Sequence, residues 1–376
     1  MDTKILVIDV AAEKGGALSV LADFYQEVSA GERKNVKWIF VLSTPDLLKK
    51  KHIQILKFPW IKKSWLHRFF FEMFVAPRLV RRYQPDCIFS LQNIIVPFTK
   101  REQILYVHQP LPFVPYRFSF RENRELWVYQ NIVGRFIFRS LKKAKKVIVQ
   151  TGWMKQAIIE KLGIDEGRIR VVPPEIRLEV KEFFQPNRNT LSTFFYPASG
   201  SAYKNHKIII EACLRLKKTA GTEYKILFTL RGDENPYIAQ LKKIVSVNGL
   251  PVEFAGPLPR EEVFRWYAKS VLLFPSYVET FGLPLLESKM HGGMILAADV
   301  PFAREVLGDY PNARYFPCFD SGALADLILD MASGKIPYVR ESRLEKIART
   351  NTLAEEILPR GKRGIPAETV QADIPL

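Results

Sequence analysis

Residues 271–298 hold the arrangement that most narrows what this chain can fold into. Val271-Leu272-Leu273-Phe274 is a short, wholly apolar run of the length and type that suits a buried strand. Pro284 stands where the first turn of a helix needs no N–H, Gly292-Gly293 supply a stop, and Met294-Ile295-Leu296-Ala297-Ala298 is a second apolar run. Strand, loop, short helix and strand make one βαβ unit. Its loop lies at the carboxyl end of a parallel strand, where open α/β sheets bind ligands. The loop and helix read Glu279-Thr280-Phe281-Gly282-Leu283-Pro284-Leu285-Leu286-Glu287, two carboxylates with seven residues between them around a glycine turn.

The same alternation runs along the chain. Strands are predicted at Lys4–Val10, Val36–Leu42, Asp86–Leu91, Gln103–His108, Lys146–Thr151 and Ile169–Val172, with helices at Gly16–Ser29 and Trp153–Leu162. Pro173-Pro174 and a polar, aperiodic stretch to Asn189 break the pattern. It restarts with a strand at Phe194–Pro197, then strands at Tyr224–Leu230 and Val252–Ala255. Helices are expected at Asn205–Lys217, Tyr237–Val247, Arg260–Lys269, Ser321–Met331 and Arg343–Leu358. Strands alternating with helices mark doubly wound parallel sheets, and 376 residues suffice for two of them. The expected division is 1–175, 176–358 and a loose tail, 359–376.

Composition removes other classes. No run of eighteen apolar residues exists, so no transmembrane helix is expected. The chain enters its first strand at once, with Asp9 inside it and no small-residue cleavage site, which argues against a signal peptide. Cys87, Cys213 and Cys318 are far apart and in no metal spacing, as expected of buried thiols in a reducing cytosol. His52, His67, His206 and His291 form no metal pattern and there is no D-x-D element, so no metal is expected.

Backbone N–H groups around Phe281, Gly282 and Leu283 would sit at a helix N-terminus and attract a phosphate or diphosphate. Glu279, before the helix, would accept hydrogen bonds from hydroxyls beside that anion, and Glu287, about a turn inside it, from a second set. A bare E-x7-E spacing is far more often a capped helix with two solvated glutamates. The flanking residues separate the two readings. Phe274-Pro275-Ser276, then Glu279-x-Phe281-Gly282-Leu283-Pro284-x-x-Glu287 and Gly292-Gly293, resembles the donor-site signature of the retaining family-4 glycosyltransferases, over roughly twenty residues in order. That resemblance implies the GT-B fold, two Rossmann-like domains facing each other across a cleft.

It also implies roles. Glu287 would bind ribose hydroxyls and Glu279 sugar hydroxyls, with Thr280, Phe281, Gly282 and Leu283 lining the diphosphate. Lys204 matches the family lysine on the donor diphosphate. The arginine usual five residues earlier is Ser199 here, and Arg231 is the candidate to compensate. His108 falls where the family carries a histidine facing the donor sugar, and Gly15-Gly16 where a loop borders acceptor and diphosphate. The substrate would be a UDP- or GDP-linked sugar, with no cofactor. Retention without a protein nucleophile implies front-face attack. The nearer resemblance is to bacterial enzymes that build capsule, O-antigen or exopolysaccharide on a lipid-linked saccharide acceptor at the cytoplasmic membrane face. An epimerase or hydrolase of the same fold, and a non-catalytic basic protein, are the alternatives.

Charge is lopsided. Residues 1–175 hold 30 lysines and arginines against 16 acids, a net +14 of the chain's +17. Lys49-Lys50-Lys51, Lys62-Lys63, Arg78, Arg81-Arg82, Lys142-Lys143 and Lys145-Lys146 carry much of it, and Trp60, Trp65 and Phe69-Phe70-Phe71 lie among them. Such interleaving suits an anionic membrane surface. It also suits nucleic acid, which the sugar-nucleotide signature disfavours, or the three phenylalanines are core.

Overall fold

The computed structural model describes every residue except 1, 14, 32–34, 49, 122, 175–179, 219–222, 341–350 and 359–376. The chain divides into two compact units: unit 1 of Met1–Gln150, Lys155–Glu175 and the segment from Ala348, and unit 2 of Thr151–Met154 with Ile176–Ile347.

Unit 1 holds β1 (Thr3–Asp9), β2 (Val36–Leu42), β3 (Ile53–Lys57), β4 (Cys87–Ser90), β5 (Glu102–Val107), β6 (Lys146–Val149) and β7 (Ile169–Val171). Their spatial order is β3-β2-β1-β4-β5-β6-β7, and every pairing is parallel. Leu6, Val7, Ile8, Ile88, Phe89, Val147 and Ile148 are fully buried, because helices cover both sheet faces and each strand must be apolar on both sides. The order reverses between β1 and β4, the switch point where a doubly wound sheet opens a crevice at its carboxyl edge. The register sets Asp9 beside Leu42 and Ile8 beside Ser90, so Asp9 ends the strand at that point.

Unit 2 repeats the plan with β8 (Thr193–Tyr196), β9 (Lys225–Phe228), β10 (Val252–Phe254), β11 (Val271–Phe274), β12 (Ile295–Ala298) and β13 (Ala313–Phe316). The order is β10-β9-β8-β11-β12-β13, all parallel, with the switch between β8 and β11. The loop after β8 carries Lys204 and the loop after β11 carries Glu279.

Two doubly wound parallel sheets were expected and are present. Three findings depart from the expected layout. Helix Leu353–Ile357 belongs to unit 1 and not to the second domain: Leu353, Ala354, Ile357 and Leu358 share a core with Ile5, Val7, Phe24 and Trp38. Ala354 donates its N–H to Glu27 Oε1 at 2.9 Å, and Lys146 pairs with Glu356 at 3.0 Å. The expected helix start at 343 and the tail 359–376 lie outside the described residues. Two long aromatic helical segments, Pro59–Tyr83 and Arg124–Lys143, fill stretches with no predicted element, and each contains a wide π-turn, at Phe71–Val75 and Tyr129–Val133. Finally, Phe71 is core while Phe69 and Phe70 are exposed. Cys213 and Cys318 are buried, Cys87 is half-buried, and none is in a disulfide.

Candidate active site

In unit 2 the loop leaving β11 ends at Gly282, whose φ of +85° is a left-handed conformation natural to glycine. A Cβ there would meet Leu285 Cδ1 at 3.1 Å and the Phe302 ring at 3.4 Å, so the backbone favours glycine and the packing asks only a small shift of a leucine methyl. Helix Leu283–Met290 starts immediately, with Pro284 in its first turn and Leu285 N–H bonded to the Gly282 carbonyl at 3.0 Å. Phe281 is buried in the core and Leu283 is half-buried against it. The Thr280 carbonyl accepts from the Thr151 hydroxyl at 2.8 Å and the Trp153 indole at 3.1 Å, which fixes the loop backbone.

Lys204 closes a short 3-10 turn, Ala202–Lys204, whose last carbonyl accepts from the Tyr196 hydroxyl at 2.7 Å. Its ammonium is ion-paired with the Glu279 carboxylate, and Ser276 Oγ donates to the same Glu279 oxygen at 2.7 Å. Burial works against the lysine's charge, but Glu279 and the hydrogen bond to it more than offset this and its pKa is raised. Two residues 75 positions apart that the sequence marks separately therefore form one charged pair at the sheet's carboxyl edge.

Glu287 is nearly buried, and burial raises the pKa of its carboxyl. Tyr267 donates its hydroxyl to Oε2 at 2.9 Å, and Arg260, which lies over the Phe264 ring at 5.2 Å, approaches Oε1 at 3.4 Å. Neither partner was anticipated from sequence: Tyr267 looks like an ordinary apolar position of an amphipathic helix. Arg231 stands exposed three residues beyond β9, its N–H bonded to Glu234 Oε1 at 2.6 Å and its carbonyl to Lys242 Nζ at 2.6 Å. Ser199 is exposed, 3.4 Å from the Ser201 hydroxyl, and offers no charge.

In unit 1, His108 follows β5. Asn93, itself at a left-handed φ of 68°, accepts the His108 N–H at 2.7 Å and places its amide nitrogen 3.3 Å from Nε2. With Nε2 accepting, Nδ1 carries the proton, and Nδ1 is buried with no partner among the described residues. Burial lowers the imidazole pKa to about 4, so at neutral pH it is an uncharged donor. Asp9, at the switch point, accepts the Ala12 N–H at 3.1 Å through Oδ1, while Oδ2 is buried with no partner among the described residues. Burial raises its pKa to about 7. Gly15 opens helix Gly15–Ala30, and a Cβ on Gly16 would meet nothing within 4 Å, so no packing contact there requires glycine. Among the described residues no group of three or more His, Cys, Asp or Glu is placed to hold a metal, and no helix is long and apolar enough to cross a membrane.

Comparison with known families finds one match in each half of the chain. Residues 14–180 match the description "Glycosyltransferase Family 4" and residues 179–350 match "Glycosyl transferases group 1". The chain is built of a family-4 and a group 1 glycosyltransferase domain. It is 25% identical over 211 residues to the O-antigen chain mannosyltransferase RfbU of Salmonella typhimurium, covering 55% of each chain. It is 34% identical over 95 residues to the D-inositol 3-phosphate glycosyltransferase of Streptomyces coelicolor, covering 24% of this chain and 21% of that one. The chain thus spans about half the length, or less, of the curated relatives it matches. Among solved structures it superposes on sucrose-phosphate synthase of Thermosynechococcus elongatus (TM-score 0.67, 16% identity, 88% and 90% covered). It also superposes on HepE of Anabaena, solved with UDP-glucose (TM-score 0.62, 18%, 88% and 90%), and on the lipopolysaccharide outer core galactosyltransferase WaaB (TM-score 0.60, 16%, 90% and 92%). At such identities these neighbours establish the GT-B fold.

Proposed function

We propose that this glycosyltransferase is a retaining, metal-independent hexosyltransferase that moves a sugar from a UDP- or GDP-linked donor to a lipid-linked saccharide, in surface polysaccharide synthesis at the inner face of the cell membrane. The observation that carries the donor half is the Lys204–Glu279–Ser276 cluster beside the Gly282 turn. A diphosphate arriving at that turn meets a cation that burial and pairing have already fixed in place, and preorganised charge is the largest catalytic contribution in reactions of this kind. As the diphosphate takes Lys204, Glu279 is released to accept the sugar hydroxyls. Glu287 holds the ribose, and Arg231 supplies the charge that Ser199 does not.

In the transfer, the bond between the anomeric carbon and the diphosphate oxygen breaks. The departing phosphate oxygen takes the acceptor hydroxyl's proton, and the new glycosidic bond forms on the face the diphosphate leaves. The O-antigen activity named for the Salmonella relative supports a polysaccharide acceptor, and the basic, aromatic surface of unit 1 supports a lipid-linked one. Thermal-shift and calorimetric screening with UDP-, GDP-, dTDP- and ADP-sugars tests donor binding, and Glu287→Ala should weaken it by about 1–3 kcal/mol. NMR of the product should show the donor's anomeric configuration with EDTA present. Inversion, a metal requirement, or donor consumed at full rate without acceptor would each remove the corresponding part of the reading.

A further inference from the structure

Two helical segments of unit 1 present sides to solvent that the fold does not use. In Pro59–Tyr83, Ile61, Phe71, Ala76 and Val80 fill a core with Leu6, Ile8 and Ile88. The outward side nevertheless carries Trp65, Leu66, Phe69, Phe70 and Phe74, between 47% and 78% exposed. Leu66, Phe70, Phe74, Arg78 and Arg82 recur at every fourth residue and all are exposed. Each four-residue step overshoots an α-helical turn by about 40°, so this stripe would wind away around an ideal helix. The wide turn at Phe71–Val75 takes up part of that drift.

In Arg124–Lys143, the residues turned outward include Ile132, Arg135, Phe136 and Arg139, while Ile137 and Leu141 are buried. The Trp65 ring meets Tyr129 edge-on at 6.0 Å and joins the two helices into one surface. Residues 126–150 contain no acid. The one acid of 59–83, Glu72, is half-buried and paired with Arg68 at 2.9 Å. Residues 51–150 together hold 19 lysines and arginines and five acids.

We propose that this two-helix face docks on the anionic headgroup layer of a lipid bilayer, with Trp65, Leu66, Phe69, Phe70 and Phe74 entering the boundary with the acyl chains and Arg78, Arg82, Arg135 and Arg139 on lipid phosphates. The proposal rests on the reading that the acceptor is lipid-linked. Cations and rings are interleaved along both helices, and the one acid of 59–83 is already paired. A bilayer surface offers negative charge and an apolar layer to any such contour. Of these cations Arg78 and Arg82 are among those the sequence marks and Arg135 and Arg139 are not, while Lys62 is committed to the Ala11 carbonyl at 3.0 Å and to Glu13 at 3.2 Å. With rings inserted, salt weakens the association without abolishing it.

The test uses the full chain with vesicles of phosphatidylglycerol and phosphatidylethanolamine, and vesicles of phosphatidylcholine alone. The wild type should co-sediment strongly with the first and only weakly with the second, and brominated acyl chains should quench part of its tryptophan emission. Trp65→Phe should remove most of that quenching and keep binding. The triple exchange Leu66→Ser, Phe70→Ser, Phe74→Ser should weaken binding roughly tenfold or more, since the apolar contribution scales with buried apolar area. It should leave nucleotide-sugar affinity and turnover on a soluble acceptor unchanged. Replacing Arg78, Arg82, Arg135 and Arg139 by serine should flatten the salt dependence. Vesicle binding by the triple variant at wild-type strength overturns the proposal, as does a wild type that binds no vesicle or that forms a dimer which the triple exchange breaks. A wild type that binds vesicles but transfers no sugar overturns the enzymatic reading and leaves the docking face standing.

Discussion

Tyr267→Phe isolates one contact of the donor site. The exchange removes a single hydroxyl from a helix interior and leaves the ring, which packs against Phe195, Phe264 and His291. What disappears is the 2.9 Å hydrogen bond to Glu287 Oε2, with only the longer Arg260 contact left to favour the charged carboxylate. Hydrogen bonds to charged groups are worth about 1.5–3 kcal/mol, so nucleotide affinity should fall on the order of 10- to 100-fold wherever Glu287 must be ionised to accept ribose hydroxyls. Burial already raises the Glu287 pKa, and losing the donor raises it further. Affinity therefore falls as pH drops through that pKa, and the fall begins at higher pH in the variant. Calorimetric titration of UDP and GDP between pH 5 and 8 measures both effects. Superimposable affinity–pH curves for wild type and a folded variant would refute the reasoning, because Tyr267 would then do nothing for Glu287 beyond packing.

Three further outcomes are expected. Lys204→Ala should lower turnover by about two to three orders of magnitude, the size typical of a lost charge-stabilising donor; near wild-type rates would move the diphosphate role to Arg231 or the helix amides. Gly282→Ala should lower stability by roughly 1–2 kcal/mol from the left-handed backbone alone, read as a lower melting temperature, and an unchanged one would mean the turn relaxes. Asp9 makes stability fall between pH 4 and 7, because the unfolded chain releases this proton near 3.8 and the folded chain holds it to about 7. At 1.36 kcal/mol per pH unit the loss is on the order of 4 kcal/mol. Asp9→Asn should remove it, so its melting temperature relative to wild type rises from pH 4 to pH 8; parallel curves would show the carboxyl ionises freely in the fold.

What the sequence reveals follows from how local the signal is. β11 begins and ends where its apolar run does, and β2 does so apart from the exposed Lys37, since strands buried on both faces are nearly all apolar. The edge strands β3, Ile-Gln-Ile-Leu-Lys, and β13, Ala-Arg-Tyr-Phe, are half-polar, carry no such run and went unpredicted. The helical segments around Phe71 and Tyr129 went unread because their aromatic residues are poor helix formers and their π-turns shift the periodicity midway. Glu279, Gly282 and Glu287 sit on one short segment, so the residues flanking them mark all three together. The pairing of Glu279 with Lys204 needs β8 and β11 brought together, and that of Glu287 with Tyr267 needs the helices before and after β11 packed on each other; no local pattern contains either.

The return of Leu353–Ile357 to unit 1 has a consequence for how the protein is made. The contact from Ala354 to Glu27 spans 327 positions, so while the ribosome is still synthesising unit 2, the first unit waits with Val28, Val36 and the rest of that core uncapped. Unit 2, whose described core comes almost wholly from residues 184–331, has all its parts before the first-made unit does. Domains generally fold as they emerge; here the nascent chain exposes an apolar face on its oldest segment until its 353–358 stretch clears the exit tunnel. A chain truncated after residue 352 and released should therefore be one that chaperones hold and proteases cut within unit 1, with unit 2 already resistant.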